Sequence, residues 1–151
     1  MALGFVIAGV LSTIHVARAQ RDPSVVQMQK IKDNLYVIVG GAGATAAQGI
    51  SGNTTVLVTD AGVVLVDTKL PGFGRAILDQ VRSVTSQSVT MIINTHTHAD
   101  HVSGNVELPL NVSHVAHANA AAAMAKMDVF KDAGASALVT HASQPRAVFE
   151  N

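Results

Sequence analysis

Apolar residues recur along the chain with two different periods, which predict strands and helices. Four short runs rich in Val, Ile, Leu and Thr, with polar or turn-forming residues between them, predict strands. Another segment carries apolar residues at helical spacing and predicts an amphipathic helix. The strands are expected at 35–39, 54–59, 63–67 and 89–94, and the helix is expected to bury Phe73, Ile77, Val81 and Val84 while exposing Arg75, Asp79 and Arg82.

Beyond these elements, the pattern predicts one more strand and one more helix. The strand is expected at 112–116. The helix is expected at 120–131, a stretch rich in alanine, with Asn119 as its N-cap. The polar segment 21–29 is expected to be an N-terminal arm, and 135–151 predicts no element.

Residues 1–19 have the pattern of a cleaved export signal. Their apolar stretch, Leu3–Leu11, is too short to span a bilayer, so no membrane span is expected. It is followed by Ala17-Arg18-Ala19, a small-x-small pattern that suits signal peptidase. This predicts a mature chain that begins at Gln20, in the periplasm or outside the cell. No Lys or Arg precedes the apolar stretch, so an ordinary first helix of the domain is the alternative.

The composition narrows the class of protein. The chain has 151 residues, 48% of them hydrophobic, which suits one domain with its own core, expected at 20–151. Its 10 basic and 10 acidic residues balance, and it has only four Phe and one Tyr, which argues against a nucleic-acid surface. There is no cysteine, so any metal site must rest on His, Asp and Glu.

A glycine-rich segment matches one form of the dinucleotide-binding fingerprint. Residues 41–46 read G-x-G-x-x-A after a predicted strand, and Asp60 ends the next strand. The fingerprint requires a helix whose N-terminus faces the pyrophosphate. The intervening segment 44–53 is too short and too rich in glycine for a crossover helix. A glycine-rich loop over a metal site is therefore favoured.

The strongest chemical signal is a cluster of three histidines and one aspartate directly after the predicted strand 89–94. From His96 the sequence reads His-Thr-His-Ala-Asp-His. If the chain stays extended past the strand, His96 and His98 project to the same side and can close on one metal ion. Asp100 and His101 follow where the chain turns toward a helix, and they can face a second ion. Imidazole and carboxylate donors suit zinc, with iron or manganese as alternatives.

This motif after a hydrophobic strand resembles the metallo-β-lactamase-fold hydrolases, which include glyoxalase II, lactonases and some class B β-lactamases. The resemblance extends upstream through 33–39, 52–58 and 60–68, and it covers the chain from about Ile31 to about Lys131. It implies an α/β fold, the metallo-β-lactamase-like αββα sandwich. This chain is expected to hold only the N-terminal half of that sandwich, a mixed sheet with flanking helices.

The resemblance also implies a two-metal site. His96 and His98 would serve the first ion, and Asp100 and His101 the second. The family takes its remaining ligands, a His, a bridging Asp and a last His, from the second half of the fold. The chain ends at Asn151, about where that half should begin. The histidines left unassigned in the mature region, none of which stands in the family's downstream motif, are His114, His117 and His141.

The implied function is zinc-dependent hydrolysis of an ester, thioester, lactone or β-lactam, each a small-molecule substrate, by a site that is incomplete in this chain. Asp100 is the predicted catalytic residue, which orients the metal-activated water or accepts its proton. Asp67, at a strand end, either holds a ligand histidine or is a plain turn residue. Gly104 is expected to allow tight helix packing. The alternative is an inactive half-domain that binds metal weakly or not at all, and either form would expose an apolar sheet face suited to homo-association.

Overall fold

The computed structural model describes residues 26–40, 52–109, 111–131 and 147–149, and it arranges them as one sheet with helices. The described sheet has seven strands, which lie side by side in the order in which they occur along the chain. The strands are β1 (Gln27–Lys32), β2 (Leu35–Val39), β3 (Thr54–Thr59), β4 (Gly62–Val66), β5 (Val89–Asn94), β6 (Ser113–His117) and β7 (Ala147–Phe149).

The sheet changes from antiparallel to parallel pairing at β4. The pairs β1–β2, β2–β3 and β3–β4 are antiparallel, and the pairs β4–β5, β5–β6 and β6–β7 are parallel. Gly62 closes the β3–β4 turn with a φ of 123°, a conformation that favours glycine. Parallel neighbours need crossover connections, and these carry the helices. The carboxyl ends of β4, β5 and β6 therefore meet at one edge of the sheet.

The helices are short, and one of them is tied to the segment that follows the histidine motif. They are α1 (Gly74–Arg82), α2 (Ala99–Val102), a 3-10 helix (Ser103–Glu107), α3 (Ala118–Met124) and α4 (Asp128–Lys131). The Glu107 carboxylate accepts hydrogen bonds from the backbone N–H groups of Gly72 at 2.7 Å and Gly74 at 2.9 Å. A negative charge there stabilises α1 because the first N–H groups of a helix have no partner within it.

One face of the sheet forms the hydrophobic core, whereas the other is apolar but only partly buried. The fully buried side chains of Val56, Leu65 and Ile92 are neighbours in register and belong to one core cluster with Ile77 of α1. Side chains of the intervening positions point to the opposite face, because successive residues of a strand alternate. The apolar residues of this second face are Leu35, Val37, Val39, Leu57, Val64, Val66, Met91, Ile93 and Val115.

Most of the predicted elements are confirmed. Strands β2, β3 and β5 match their predicted ranges residue for residue, and the predicted strands 63–67 and 112–116 are present as β4 and β6, each displaced by one residue. The predicted amphipathic helix is α1, with Ile77 and Val81 buried. Val84 was expected to be buried but is 37% exposed, because α1 ends before it, with Ser83 as its C-cap.

Two predictions were wrong near the ends of elements. The polar arm predicted at 21–29 overlaps β1, whose backbone pairs with β2 although its side chains are mostly exposed. The predicted N-cap, Asn119, lies inside α3, and His117 is the N-cap because its Nδ1 accepts a hydrogen bond from the Asn119 backbone N–H at 3.1 Å. Pairing with a neighbouring strand and an imidazole cap are both contacts that local propensity does not reveal.

The end of the described chain also differs from expectation. The helix predicted at 120–131 is divided into α3 and α4, since the chain leaves helical conformation between Met124 and Asp128. The segment 135–151, for which no element was predicted, contains β7, a three-residue strand that pairs in parallel with β6. A strand this short carries no readable period.

Several predictions fall outside the described residues. These include the export signal at 1–19, the glycine-rich fingerprint at 41–46, and His141. The start of the mature domain at Gln20 stays a prediction for the same reason. Within the described part of the chain, no helix is both long enough and apolar enough to cross a membrane.

Candidate metal centre

The histidine motif lies at the edge of the sheet where the parallel strands end. β5 ends at Asn94, the chain bends at His96, and His98, whose φ is −64° and ψ is 139°, is the extended residue directly before α2. The neighbouring strand β4 ends directly before Asp67. In open sheets with parallel strands, ligand-binding side chains gather outside the carboxyl ends of the strands. The fold thus brings Asp67 and the motif to one place.

Asp67 is a buried residue that accepts hydrogen bonds from the histidine motif and from the residue before it. It is 4% exposed, and its φ of 61° is a left-handed conformation that non-glycine residues rarely adopt. Its Oδ1 accepts a hydrogen bond from the Thr95 backbone N–H at 2.9 Å, and its Oδ2 accepts one from the Thr95 hydroxyl at 2.6 Å. Oδ2 also lies 2.8 Å from Nδ1 of His101. Of the two alternatives for Asp67, the structure shows the contact with a histidine of the motif.

These hydrogen bonds determine which nitrogen of two rings carries a proton. A carboxylate only accepts, so His101 donates from Nδ1 to Asp67. The Thr95 hydroxyl has a single proton, which it donates to Asp67. The hydroxyl oxygen lies 2.9 Å from Nδ1 of His96, and in that contact the oxygen accepts and Nδ1 donates. In the neutral form of each ring, this places the proton on Nδ1 and leaves Nε2 as the nitrogen that can bind a metal ion.

The rings of His98 and His101 both lie beside that of His96, and Asp100 adjoins the His101 ring. The centroid of the His96 ring lies 4.1 Å from that of His101 and 4.7 Å from that of His98. Asp100 is next to them, with its Oδ2 3.6 Å from Nε2 of His101. His98 is exposed, whereas the other three are partly buried. The site therefore opens to solvent on the His98 side.

The tightest set of donor atoms differs from the pairs that the resemblance implies. Among the described residues, Asp67, His96 and His101 offer ligand atoms that all lie within 4.8 Å of one another. The resemblance assigns His96 and His101 to separate ions, yet here their rings are in contact. Both carboxylate oxygens of Asp67 already accept hydrogen bonds, so this residue is better placed to orient His101 than to bind an ion. Imidazole Nε2 atoms beside one carboxylate, that of Asp100, fit a zinc-type ion.

A buried polar network holds the motif from behind. The Thr68 backbone N–H donates to the His101 carbonyl at 2.7 Å, and the Thr68 hydroxyl donates to Oδ1 of Asn105 at 2.7 Å. Asn105 in turn donates from Nδ2 to Oδ1 of Asn94 at 2.9 Å. All three side chains are buried, where an unmet polar group costs about 1–3 kcal/mol. The network joins the ends of β4 and β5 to the 3-10 helix.

Gly104 lets the 3-10 helix approach the end of β4. Its backbone N–H donates to the Lys69 carbonyl at 2.8 Å. A Cβ atom placed on Gly104 would lie 2.0 Å from the Thr68 carbonyl oxygen, a backbone atom that cannot rotate away. The expectation that a glycine is needed here for tight packing is confirmed.

Gly104→Ala is expected to lower the free energy of unfolding by about 3 kcal/mol or to prevent folding, because the added methyl group forces the strand end and the helix apart. Urea denaturation followed by circular dichroism measures this change. An unfolding midpoint equal to that of the parent protein would contradict the packing described for this segment.

Lys69 is a charged residue buried beside the motif, and sequence reasoning missed it. It is 1% exposed, and its Nζ donates a hydrogen bond to the Gly52 carbonyl at 2.5 Å. Burial lowers the pKa of Lys69 from 10.5 to about 8, although the nearby Asp100 carboxylate acts in the opposite direction. The side chain is therefore mostly protonated at neutral pH. A lone lysine after a strand is usually a surface residue, so the pattern carried no signal for this position.

The other described histidines lie on β6. His114 is 1% exposed and is paired in register with Ile92 on the core face of the sheet. His117 uses Nδ1 to cap α3. Neither residue belongs to the cluster of Asp67, His96 and His101.

Comparison with known proteins places the chain in a family. Residues 47–149 match the Metallo-beta-lactamase superfamily. This match covers more than half of the chain, so the chain belongs to that superfamily. A search of curated protein sequences found no match.

Solved structures show the same fold. A B3 metallo-β-lactamase with an active-site glutamic acid is 28% identical, with a TM-score of 0.52 over 64% of this chain and 35% of that chain. The Pseudomonas aeruginosa metallo-β-lactamase FIM-1, in its mono-zinc form, is 17% identical, with a TM-score of 0.54 over 64% of this chain and 44% of that chain. A Cronobacter sakazakii metallo-β-lactamase is 22% identical, with a TM-score of 0.55 over 67% of this chain and 38% of that chain. The chain thus spans about 35–44% of the length of these structures, which agrees with a partial αββα domain.

Proposed function

We propose that this chain carries the metal-binding half of a zinc-dependent hydrolase that cleaves esters, thioesters, lactones or β-lactams. The observation that carries the proposal is the hydrogen bonding of two rings: His96 and His101 both donate from Nδ1 and so keep Nε2 available for a metal ion. Asp100 lies beside them. Membership of the metallo-β-lactamase superfamily supports the same kind of function.

The proposed ligands are the four residues predicted from the motif. His96, His98, Asp100 and His101 would hold one ion or two, and Asp67 would orient His101. A bound zinc ion supplies a water whose pKa lies near ~7 and polarises the carbonyl of the substrate. Asp100 would orient the attacking water or accept its proton, as a general base must lie beside the proton that it takes. Iron or manganese could serve with the same donors.

A second candidate is a non-catalytic half-domain that binds metal weakly or not at all. It is favoured by the composition of the tightest cluster, which holds two imidazoles and a carboxylate already engaged in hydrogen bonds. A catalytic zinc ion usually has about three protein ligands and a water. The hydrolase proposal therefore requires His98 and Asp100, or residues outside the described part of the chain, to supply further ligands.

A chimera tests the hydrolase proposal directly. Residues 26–131 of this chain would replace the corresponding part of the 28%-identical B3 metallo-β-lactamase, which supplies the rest of an αββα domain. We expect zinc-dependent, chelator-sensitive turnover of at least one ester, thioester, lactone or β-lactam substrate. The same chimera with His96→Ala and His98→Ala is the matched control and should be inactive. A folded, zinc-loaded chimera without activity on any of the four classes would favour the non-catalytic half-domain.

We also propose that two copies of the chain associate through the second face of the sheet. This face presents nine apolar side chains, all partly buried, with Lys32 at its edge beside Leu35, and apolar patches of this kind mark interaction surfaces. Val64→Glu, near its centre, is expected to convert a dimer to a monomer in analytical ultracentrifugation. Val84→Glu, at an exposed apolar position after α1, is the control and should leave the dimer intact. A monomeric parent protein would refute the association.

Export to the periplasm or beyond stays a prediction.

A further inference from the structure

Gly52 lies directly against the histidine motif and touches two of its members. Its backbone N–H donates to the Asp100 carbonyl at 3.1 Å. A Cβ atom placed on Gly52 would lie 2.6 Å from both Cε1 and Nε2 of the His101 ring and 2.9 Å from the Asp100 carbonyl oxygen. The backbone of Gly52 therefore limits where the His101 ring can lie and holds the peptide of Asp100.

Lys69 holds Gly52 in this position from the other side. Its Nζ donates to the Gly52 carbonyl, so both backbone polar groups of Gly52 are bonded to the site. Lys69 is itself fixed: it is 1% exposed, its carbonyl accepts from Gly104, and its φ is 64°, a left-handed conformation that is uncommon for lysine. A long side chain loses much conformational freedom when it is held in this way. The folded state therefore carries a conformational free-energy cost at Lys69.

We propose that Lys69 is a positioning residue, which clamps Gly52 against the motif and thereby sets the places of Asp100 and His101. We call Lys69 and Gly52 together the Lys69–Gly52 clamp. The inference rests on the proposed function, in which Asp100 and His101 are metal ligands. It goes beyond that function by assigning the alignment of two ligands to a residue that binds neither metal nor substrate.

The charge of Lys69 and its positioning role have opposite effects on metal binding. The direction in which metal affinity changes when the ammonium group is removed therefore tests the clamp. A positive charge near a metal site repels the metal ion, so removing it should by itself strengthen metal binding. Lys69→Met keeps the length of the side chain and meets the same left-handed backbone, but it removes the ammonium group. Weaker metal binding by this variant would therefore report lost positioning and not lost charge.

The experiment compares Lys69→Met with Lys30→Met in the full chain. Lys30 lies on β1 with its side chain 59% exposed, so the control makes the same substitution and the same charge change away from the site. Two quantities are measured: the rate of amide hydrogen exchange at Gly52 and Thr68 in the metal-free protein, and the affinity and visible absorption spectrum of added Co²⁺. Thermal unfolding of the metal-free variants checks that both are folded.

For Lys69→Met we expect exchange at Gly52 to rise at least tenfold, and Co²⁺ affinity to fall by about 10-fold to 100-fold, as for other residues that orient metal ligands. The Co²⁺ spectrum should also change, whereas Lys30→Met should match the parent in all respects.

If Lys69→Met does not fold, Gly52→Ala, which keeps the ammonium and displaces the His101 ring, should show the same loss of affinity. Unchanged exchange and unchanged or tighter Co²⁺ binding in Lys69→Met would overturn the clamp. A parent protein that binds no Co²⁺ would instead refute the proposed function, and the clamp would then be decided by exchange at Gly52 alone.

Discussion

Asp67→Ala is expected to weaken zinc binding by about 10-fold to 100-fold, although Asp67 is not proposed to bind the ion. Its carboxylate holds Nδ1 of His101 at 2.8 Å and thereby orients the ring so that Nε2 faces the site in the neutral tautomer. It also accepts from both the backbone N–H and the hydroxyl of Thr95, whose oxygen contacts His96. One carboxylate thus orients two of the four predicted ligands. Its removal should release both rings.

The same variant should also be less stable. Asp67 is 4% exposed and accepts hydrogen bonds from the Thr95 backbone N–H and hydroxyl, and loss of each bond is expected to cost about 0.5–1.5 kcal/mol. Competition with a chromophoric chelator measures the zinc affinity, and urea denaturation measures the stability. Asp60→Ala, at the exposed β3–β4 turn, is the control. Zinc affinity equal to the parent's in folded Asp67→Ala would show that this residue does not orient the ligands.

The predicted mature chain, residues 20–151, is expected to show little or no hydrolysis of nitrocefin, lactone or thioester substrates, even with zinc added. Only two of the three residues in the tightest donor cluster, His96 and His101, are proposed ligands, whereas a catalytic zinc ion usually has about three. An ion displaced by ~1 Å from its productive position can lose ~10²-fold in rate. Association of two copies would not repair this, because it would duplicate the same ligands.

Rate measurements with and without a chelator test this expectation. Robust turnover that requires zinc and is abolished by the chelator would contradict it. Such turnover would show that His114, His117 or His141 completes the site. His117 would then have to give up the hydrogen bond through which its Nδ1 caps α3.

The strands that position the site were predictable because each is a short apolar run between turn residues. β5 matches its predicted range residue for residue, and the motif follows it at the edge of the sheet. The same holds for Asp67, since a polar residue that directly follows a buried strand lies at that edge whenever the strands are parallel. Gly104 was predictable from the family resemblance, and the close approach of Thr68 supplies the physical reason.

Other parts of the site depend on contacts between residues far apart in sequence, which no local pattern records. Lys69 meets Gly52 across 17 positions, and Glu107 reaches Gly74 across 33 positions to cap α1. The contact between the His96 and His101 rings depends on the bend at His96 and on the position of α2 after it. The spacing of the motif predicted two separate pairs of ligands, and only the folded loop shows that members of both pairs adjoin.

The measurement that tests the central claim most directly is the zinc content of the purified protein by elemental analysis. We predict at most one zinc ion per chain, because four clustered ligands hold one ion better than two. We predict no bound zinc in the variant with both His96→Ala and His98→Ala. His141→Ala, a histidine outside the motif, should bind as much zinc as the parent. Zinc retained by the double variant at the parent's level would contradict the assignment of the metal centre to this motif.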